Sequence, residues 1–163
     1  MRFYEGNNAE AANANTGGSN SPRVALNAST GGAGPLPIIT TLLAEPINVV
    51  NVSIDAENFN NPVILLNFSS LINLPLGISV TLNFEITRSR NGGAPVNVGS
   101  TYTFSTLVNI LESEAFGFQF FDSTLAPGFY TYTVRLSTNS IIDITPGLTI
   151  NNATLSALAV DLG

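Results

Sequence analysis

At 163 residues the chain is long enough to bury the core of one domain, and its 44% hydrophobic content is normal for a globular protein. Only 10% of the residues are charged, against about 25% in an average domain, so Asn, Ser and Thr must supply most of the polar surface. The absence of His, Cys and Lys, with a net charge of -6, excludes a Ser-His-Asp triad, a thiol nucleophile and disulfides, and it gives no electrostatic footprint for nucleic acid or an anionic membrane.

Residues 1–21 are predicted to form a flexible arm that precedes a body of residues 22–163. The arm carries Phe3 and Tyr4 near its tip, followed by Asn, Ala, Gly and Ser residues that offer nothing for a core. Fully extended, residues 6–21 reach about 55 Å, which is enough to cross onto a neighbouring subunit. A disordered tail is the alternative, since it is the common fate of chain termini. The arm has no Sec signal peptide, and no apolar run of about 18 residues predicts a membrane span.

The body is a succession of short extended segments in which apolar and polar residues alternate. In its first half, the predicted strands are residues 22–29, 36–43, 47–55, 63–70 and 78–88. A Gly-rich stretch at 31–35 is expected to end the first of them, and residues 73–77 are expected to form a loop. Asn91-Gly92-Gly93 predicts a tight hairpin after the last, because these residues tolerate positive φ.

The second half of the body contains the most aromatic stretch, residues 116–136. Before it, alternation from Tyr102 to Ile110 predicts a strand, and residues 111–114 are interpreted as a helical turn or a loop. Within it, two alternating runs flank Pro127-Gly128, which predicts a hairpin of two paired strands at the centre of the core. A long connection at 139–147 and a last strand at 148–160 complete the chain.

These elements predict an all-β fold, an antiparallel β-sandwich built as a jelly roll of eight or nine strands and preceded by the flexible arm. Turns recur at about the 8–12 residue spacing that is typical of sandwiches and barrels, and no segment sustains helical periodicity. Two packed sheets are the natural way to bury faces that are apolar on one side. An immunoglobulin-like sandwich is the alternative, although the Cys-Trp-Cys signature is absent.

Candidate chemical sites are few. The carboxylate pairs Asp55 with Glu57 and Glu112 with Glu114 resemble no calcium loop and are interpreted as solvated turn residues. We therefore predict no catalytic residue, no cofactor and no metal site, and a protein that is not an enzyme.

Self-association is the more useful hypothesis, because low surface charge removes one barrier to it and because sandwich edges can accept an added strand. The predicted interface residues in and behind the arm are Phe3, Tyr4, Val24 and Leu26. On the outward strand face they are Thr131, Thr133 and Arg135.

Four segments carry a resemblance to a known family: residues 50–70, 81–105, 116–134 and 150–160, of which INNATL and FYTYTV are the most specific parts. Over about residues 45–160 the chain resembles small surface proteins of spore-forming Firmicutes, similar in style to endospore appendage (Ena) subunits. The resemblance implies a jelly-roll subunit that polymerises into a robust surface fibre. In the appendage proteins, cysteines in the N-terminal connector cross-link neighbours. This arm has no Cys, so a fibre would have to hold by strand pairing, shape and apolar burial.

The expected function is thus a non-enzymatic structural subunit that self-assembles into a surface fibre or layer through β-strand pairing and its arm. The alternative is a trimeric C1q/TNF-like or carbohydrate-binding surface module. The expected partners are copies of the chain itself, with other spore-surface proteins or glycans as further candidates, and neither nucleic acid nor membrane insertion is expected. The expected location is extracellular or on a spore or cell surface.

Overall fold

A computed structural model describes residues 23–36, 45–75, 79–107, 112–123, 125–137 and 147–163. The proposed arm with Phe3 and Tyr4, most of the predicted strand at 36–43 and most of the connection at 139–147 lie outside the described residues. The described chain forms eight strands. They are β1 (Val24–Ala33), β2 (Ile47–Asp55), β3 (Pro62–Leu74), β4 (Ser79–Arg90), β5 (Val96–Leu107), β6 (Glu112–Asp122), β7 (Phe129–Ser137) and β8 (Thr149–Asp161).

The strands form two four-stranded antiparallel sheets that pack as a sandwich. Sheet A has the order β1-β8-β3-β6 and sheet B the order β2-β7-β4-β5. Strands that follow each other along the chain alternate between the sheets, except for β4 and β5, which are neighbours in sheet B. Two interleaved four-stranded sheets of this order make a jelly roll, so the predicted fold is confirmed and the immunoglobulin-like alternative is wrong.

The hairpin predicted at Asn91-Gly92-Gly93 joins β4 to β5. Asn91 and Gly92 have φ angles of 51° and 72°, which are left-handed values that Asn and Gly tolerate best. The Gly93 amide donates to the Arg90 carbonyl at 2.9 Å and closes the turn. The two adjacent residues with positive φ match the twist of the flanking strands, and the prediction is therefore confirmed.

The second predicted hairpin, at residues 116–136, is wrong in its pairing. β6 pairs with β3 in sheet A, whereas β7 lies between β2 and β4 in sheet B. The segment around Pro127 and Gly128 therefore crosses from one sheet to the other. Gly128 exchanges backbone hydrogen bonds of 3.0 and 3.2 Å with Ala56, in the connection from β2 to β3. Alternation shows which face of a strand is buried, but it does not show which strand lies beside it. β6 and β7 each bury one face, and they do so from opposite sheets.

Several strand boundaries also differ from the predictions, among them the start of β5, which lies at Val96 and not at Tyr102. β1 continues through Gly31 and Gly32, and β3 continues to Leu74. Gly31 continues the strand because it pairs with Ala153 of β8, and its lack of a side chain lets β2 pass close by, since a Cβ here would lie 2.3 Å from the Val49 carbonyl oxygen. Residues 112–114, interpreted as a helical turn or loop, are the start of β6 and pair with β3.

The core lies between the inner faces of the two sheets. Its largest fully buried side chains include Phe68 from sheet A and Phe84, Tyr130 and Tyr132 from sheet B. The predicted central aromatics of β6 are instead half-buried, because β6 is an edge strand. They are Phe116, Phe118 and Phe120.

These β6 aromatics close the open side of the sandwich against β5. The Phe118 ring stacks on Tyr102 with 3.9 Å between centroids, and Phe116 meets Phe104 edge-on at 5.7 Å. Gly99 leaves room for Phe120, which a Cβ would approach to 2.9 Å. The aromatic residues of β6 therefore cover the core on one side of the sandwich. β7, the other strand of residues 116–136, lies between β2 and β4 in the opposite sheet.

Candidate interaction surface

The outer face of sheet A carries a row of large apolar side chains that crosses all four strands. Leu26 of β1 is the register partner of Leu158 in β8, Leu158 of Leu65 in β3, and Leu65 of Phe121 in β6. Directly opposed residues of neighbouring strands point to the same face of a sheet. We call Leu26, Leu158, Leu65 and Phe121 the apolar row.

The apolar row is exposed although its members are hydrophobic. Leu26 is 72% exposed and Phe121 58%, at the two edges of the sheet, while Leu65 is 36% exposed between them. Val24, two residues before Leu26, is 59% exposed and opposes the half-buried Val160. A single exposed Leu is ordinary on a protein surface, but a contiguous patch rimmed by polar residues is typical of an interaction site.

The rest of this outer face carries no charge and is mostly polar, although Leu71 of β3 is 38% exposed near its far end. Along the strands from the apolar row, the next two rows are Ala28, Ser156, Asn67 and Gln119, then Thr30, Thr154, Ser69 and Gly117. At the far end Asn73 donates to the Thr149 hydroxyl at 3.1 Å and accepts from the Ser113 hydroxyl. The outer face of sheet A extends from Val24 at one end to Asn73 at the other. Its described outward residues include no Asp, Glu, Arg or Lys.

Val24 and Leu26 were predicted as interface residues behind the arm. The structure places them within β1, where they pair with Val160 and Leu158, so they belong to the sandwich itself. Phe3 and Tyr4 lie outside the described residues. The sequence identified Val24 and Leu26 as apolar, but Leu65 and Phe121 were missed, because only the register between β3, β6 and β8 brings them into the same row.

The other predicted interface residues lie on the outer face of sheet B, where their polar groups are largely used within the sheet. Thr131 shares a hydrogen bond of 2.8 Å with the Ser53 hydroxyl. The Arg135 guanidinium lies 4.0 Å from a Glu85 carboxylate oxygen and donates to the Asn97 side chain at 3.4 Å. Thr133 is half-buried. This face is therefore polar and carries charge, in contrast to the outer face of sheet A.

A charged cluster inside the sandwich was not predicted. Arg88 of β4 donates to both carboxylate oxygens of Asp122 in β6, at 2.9 and 2.8 Å, and thereby links sheet B to sheet A. The Tyr132 hydroxyl donates to the same carboxylate at 2.8 Å. The alternation of the two strands could have indicated this cluster. Arg88 lies on the same inward face of β4 as Phe84, and Asp122 lies on the same inward face of β6 as Phe120.

Burial and hydrogen bonding set the ionisation of this cluster. Burial lowers the pKa of Arg88, but the hydrogen bond and the negative charge of Asp122 outweigh it, and the net pKa is raised. Burial, with the nearby Asp122 charge, raises the pKa of Tyr132 far above its ordinary value. The guanidinium and carboxylate neutralise each other and Tyr132 stays protonated, so the cluster serves as a clamp between the sheets.

A second carboxylate fastens the end of β8. Asp161 accepts hydrogen bonds from the backbone amides of Asn60, Asn61 and Gly163 at 2.9 to 3.2 Å. These bonds, led by the one from Asn61, lower the pKa of Asp161. The Asp161 amide also donates to the Arg23 carbonyl at 2.9 Å. Asp161 therefore ties the connection from β2 to β3 and the start of β1 to the last strand.

The carboxylate pairs named from the sequence lie apart from both clusters. Asp55 accepts from the Glu57 amide at 2.9 Å in a turn, and Glu114 accepts from the Thr106 hydroxyl at 3.4 Å. Among the described residues, no group of three or more His, Cys, Asp or Glu side chains is arranged to hold a metal ion. The same part of the chain contains no helix that is long and apolar enough to cross a membrane.

Fold and site together define a jelly-roll domain whose outer face on sheet A is uncharged and partly apolar. The chain belongs to a family defined by a domain of unknown function, DUF4489, which matches residues 23–160. No curated protein matches the sequence.

Two solved structures of infectious bursal disease virus superpose on the chain with low similarity. The Gx strain gives a TM-score of 0.44 and 12% identity over 87% of this chain and 32% of the virus chain. The Gt strain gives 0.43 and 14% over 86% and 33%. The chain spans about a third of the length of these virus chains.

Proposed function

We propose that this protein is a non-enzymatic structural subunit that associates with copies of itself into a surface fibre or layer. The observation that carries the proposal is the outer face of sheet A, where the apolar row lies in a surface free of charged side chains. Exposed apolar area favours association, and a face without charge on an acidic chain avoids repulsion between copies.

The energetics favour more than one joint between subunits. Complete burial of a Leu or Phe side chain contributes about 1.5–3 kcal/mol, and the apolar row is already partly covered within its own sheet. Bringing two proteins together costs about 4–15 kcal/mol in lost freedom and ordering. The apolar row alone therefore gives weak association. In the proposal, strand pairing at the sheet edges and the arm of residues 1–21 add the remaining contacts.

The absence of His, Cys and Lys supports the non-enzymatic part of the proposal. Among the described residues, the two buried carboxylates are Asp122 and Asp161. They accept hydrogen bonds from an Arg-Tyr pair and from backbone amides respectively, and these are structural roles. The resemblance to surface proteins of spore-forming Firmicutes supports a location on a spore or cell surface, outside the cell.

Negative-stain electron microscopy and light scattering of the full chain test this proposal. We expect particle mass to rise with concentration, with fibres or layers in the micrographs, and deletion of residues 1–21 to give shorter assemblies or a folded monomer. A closed trimer of fixed mass would favour a C1q/TNF-like or glycan-binding module instead. A full-length chain that stays monomeric at millimolar concentration would overturn self-assembly.

A further inference from the structure

We propose that two copies of this chain pack with the outer faces of sheet A against each other, related by a two-fold axis that runs parallel to the strands. The inference rests on the proposed function and names the geometry of one of its joints. Three observations support it: the absence of charge on this face, the area of the face, and the position of the apolar row on it.

Charge favours a second copy as the occupant of this face. The chain has a net charge of -6, so two copies repel each other wherever carboxylates meet. The described outward residues of sheet A, from Val24 to Asn73, carry neither sign. A basic or acidic partner would gain affinity from complementary charges at the contact, and this face offers none. A second neutral face is the partner that it suits.

The size of the face matches a stable contact between two proteins. Four strands spaced about 4.8 Å apart, with side chains at both edges, cover roughly 19 Å. The outward residues from Val63 to Asn73 of β3 span about 34 Å along the strand. The flat footprint is therefore roughly 650 Å², and the accessible area of its side chains is larger. A standard interface buries about 600–1,000 Å² on each partner, a range that the whole face reaches and the apolar row alone does not.

The position of the apolar row selects the axis. It lies near one end of the face, so an axis along the row would superpose only that end of the two faces. An axis parallel to the strands, midway between β8 and β3, superposes the whole of both faces and places one apolar row on the other. Leu26 then opposes Phe121 of the second copy, and Leu158 opposes Leu65. The faces lie about 10 Å apart, as in aligned sheet packing.

Cross-linking of single cysteines tests this geometry in a chain that has no native Cys. Asn67→Cys places a thiol on the outer face of sheet A, outside the apolar row and next to the axis. Asn51→Cys is the matched control, another exposed Asn, on the outer face of sheet B. With a short bis-maleimide, we expect Asn67→Cys to give a covalent dimer in at least tenfold higher yield than Asn51→Cys.

Charge insertion provides the second measurement. Phe121→Asp sets a carboxylate near Leu26 of the second copy at both symmetric contacts, and we expect at least a 100-fold weaker dimer by light scattering. Asn51→Asp, an exposed residue on the outer face of sheet B, is the matched control and should leave the dimer within threefold of wild type. Phe121 is more than half exposed on an edge strand, so the thermal unfolding of the monomer should change by no more than a few degrees.

The outcomes separate the inference from the proposed function. Assembly that persists in Phe121→Asp, without a cross-linked dimer of Asn67→Cys, overturns face-to-face packing and leaves the proposed function standing on other joints. A thiol at position 67 that becomes reactive only after deletion of residues 1–21 assigns the face to the chain's own arm and overturns the inference. A wild-type chain that remains monomeric overturns the proposed function, and the inference with it.

Discussion

The clamp between the sheets gives the sharpest test of the structure, through the variant Arg88→Met. This change removes two charge-assisted hydrogen bonds, of 2.9 and 2.8 Å, between Arg88 and Asp122. The Asp122 side chain is only 8% exposed, so its carboxylate stays in the interior with the Tyr132 hydroxyl as a partner. The free energy of unfolding should fall, because a buried charge loses its counter-ion.

The expected loss follows from how far each partner is buried. Removing one member of a fully buried ion pair costs about 3–5 kcal/mol. The Arg88 side chain is 27% exposed, so water reaches part of this pair and replaces some of the lost interaction. We therefore expect a loss of about 2–3 kcal/mol. In a chain of this length, each kcal/mol lowers the melting temperature by about 2–4 °C, which predicts a decrease of roughly 4–12 °C.

Urea unfolding followed by circular dichroism measures this loss. The control is the triple variant Arg88→Met, Asp122→Leu, Tyr132→Phe, which replaces every polar group of the clamp with an apolar one of similar size. It should recover most of the loss, to within about 1 kcal/mol of wild type, because no unpaired charge remains. A single variant that loses less than about 0.5 kcal/mol, with no gain in the triple variant, would refute the reasoning.

Three further perturbations follow from the fold. Gly31→Ala should cost about 2–3 kcal/mol in urea unfolding, because its Cβ would lie 2.3 Å from the Val49 carbonyl oxygen, a backbone atom. Burial raises the pKa of both Tyr130 and Tyr132, so stability should fall as the pH rises above 10, and the contribution of Tyr132 should approach about 1.4 kcal/mol per pH unit; urea midpoints at pH 9–11 measure this slope. Asp161→Asn should lower the melting temperature at pH 7 and flatten its decline below pH 4, since the lowered pKa of Asp161 stabilises the fold only while the carboxylate is ionised.

Each of these perturbations has its own control. Gly93→Ala, in the exposed turn after β4, should cost at most about 1 kcal/mol, and equal losses at Gly31 and Gly93 would contradict the close approach of β1 to β2. Tyr132→Phe should reduce the loss of stability per pH unit above pH 10 by the contribution of this one tyrosine. An unchanged pH dependence would contradict the burial of its hydroxyl. For the acid limb, Asn51→Ala changes an exposed residue that has no carboxylate, and a decline below pH 4 that is equally steep in Asp161→Asn and in this control would contradict the role of the Asp161 carboxylate.

Local patterns predicted the strands well but not their partners. β2 spans residues 47–55 as predicted, and the hairpin between β4 and β5 follows from Asn91 and Gly92, because a turn and the burial of one face are encoded within a few residues. The pairing of β6 with β3, in place of β7, depends on strands about 50 residues apart along the chain. No short-range signal distinguishes a hairpin from two strands that face each other across a core.

The candidate surface also combines residue properties that the sequence shows directly with contacts that depend on strand pairing. The apolar character of Leu26 could be read directly, and so could that of Leu65 and Phe121. Their meeting in one row depends on the register of β8 between β1 and β3. Thr131 and Thr133 were correctly assigned to an outward face by alternation, but the hydrogen bond of Thr131 with Ser53 requires a neighbouring strand that the sequence does not identify.

The place of β8 within sheet A has a consequence for the timing of folding. β8 is the last strand of the domain in chain order, yet it lies between β1 and β3. During synthesis, β1 therefore has no partner in its own sheet until the chain through Asp161 has left the ribosome. Non-local pairing of this kind folds slowly, and it leaves hydrophobic strands uncovered for longer. A chaperone that holds the nascent chain until β8 emerges would therefore raise the yield of folded protein, and a chain interrupted before β8 would aggregate.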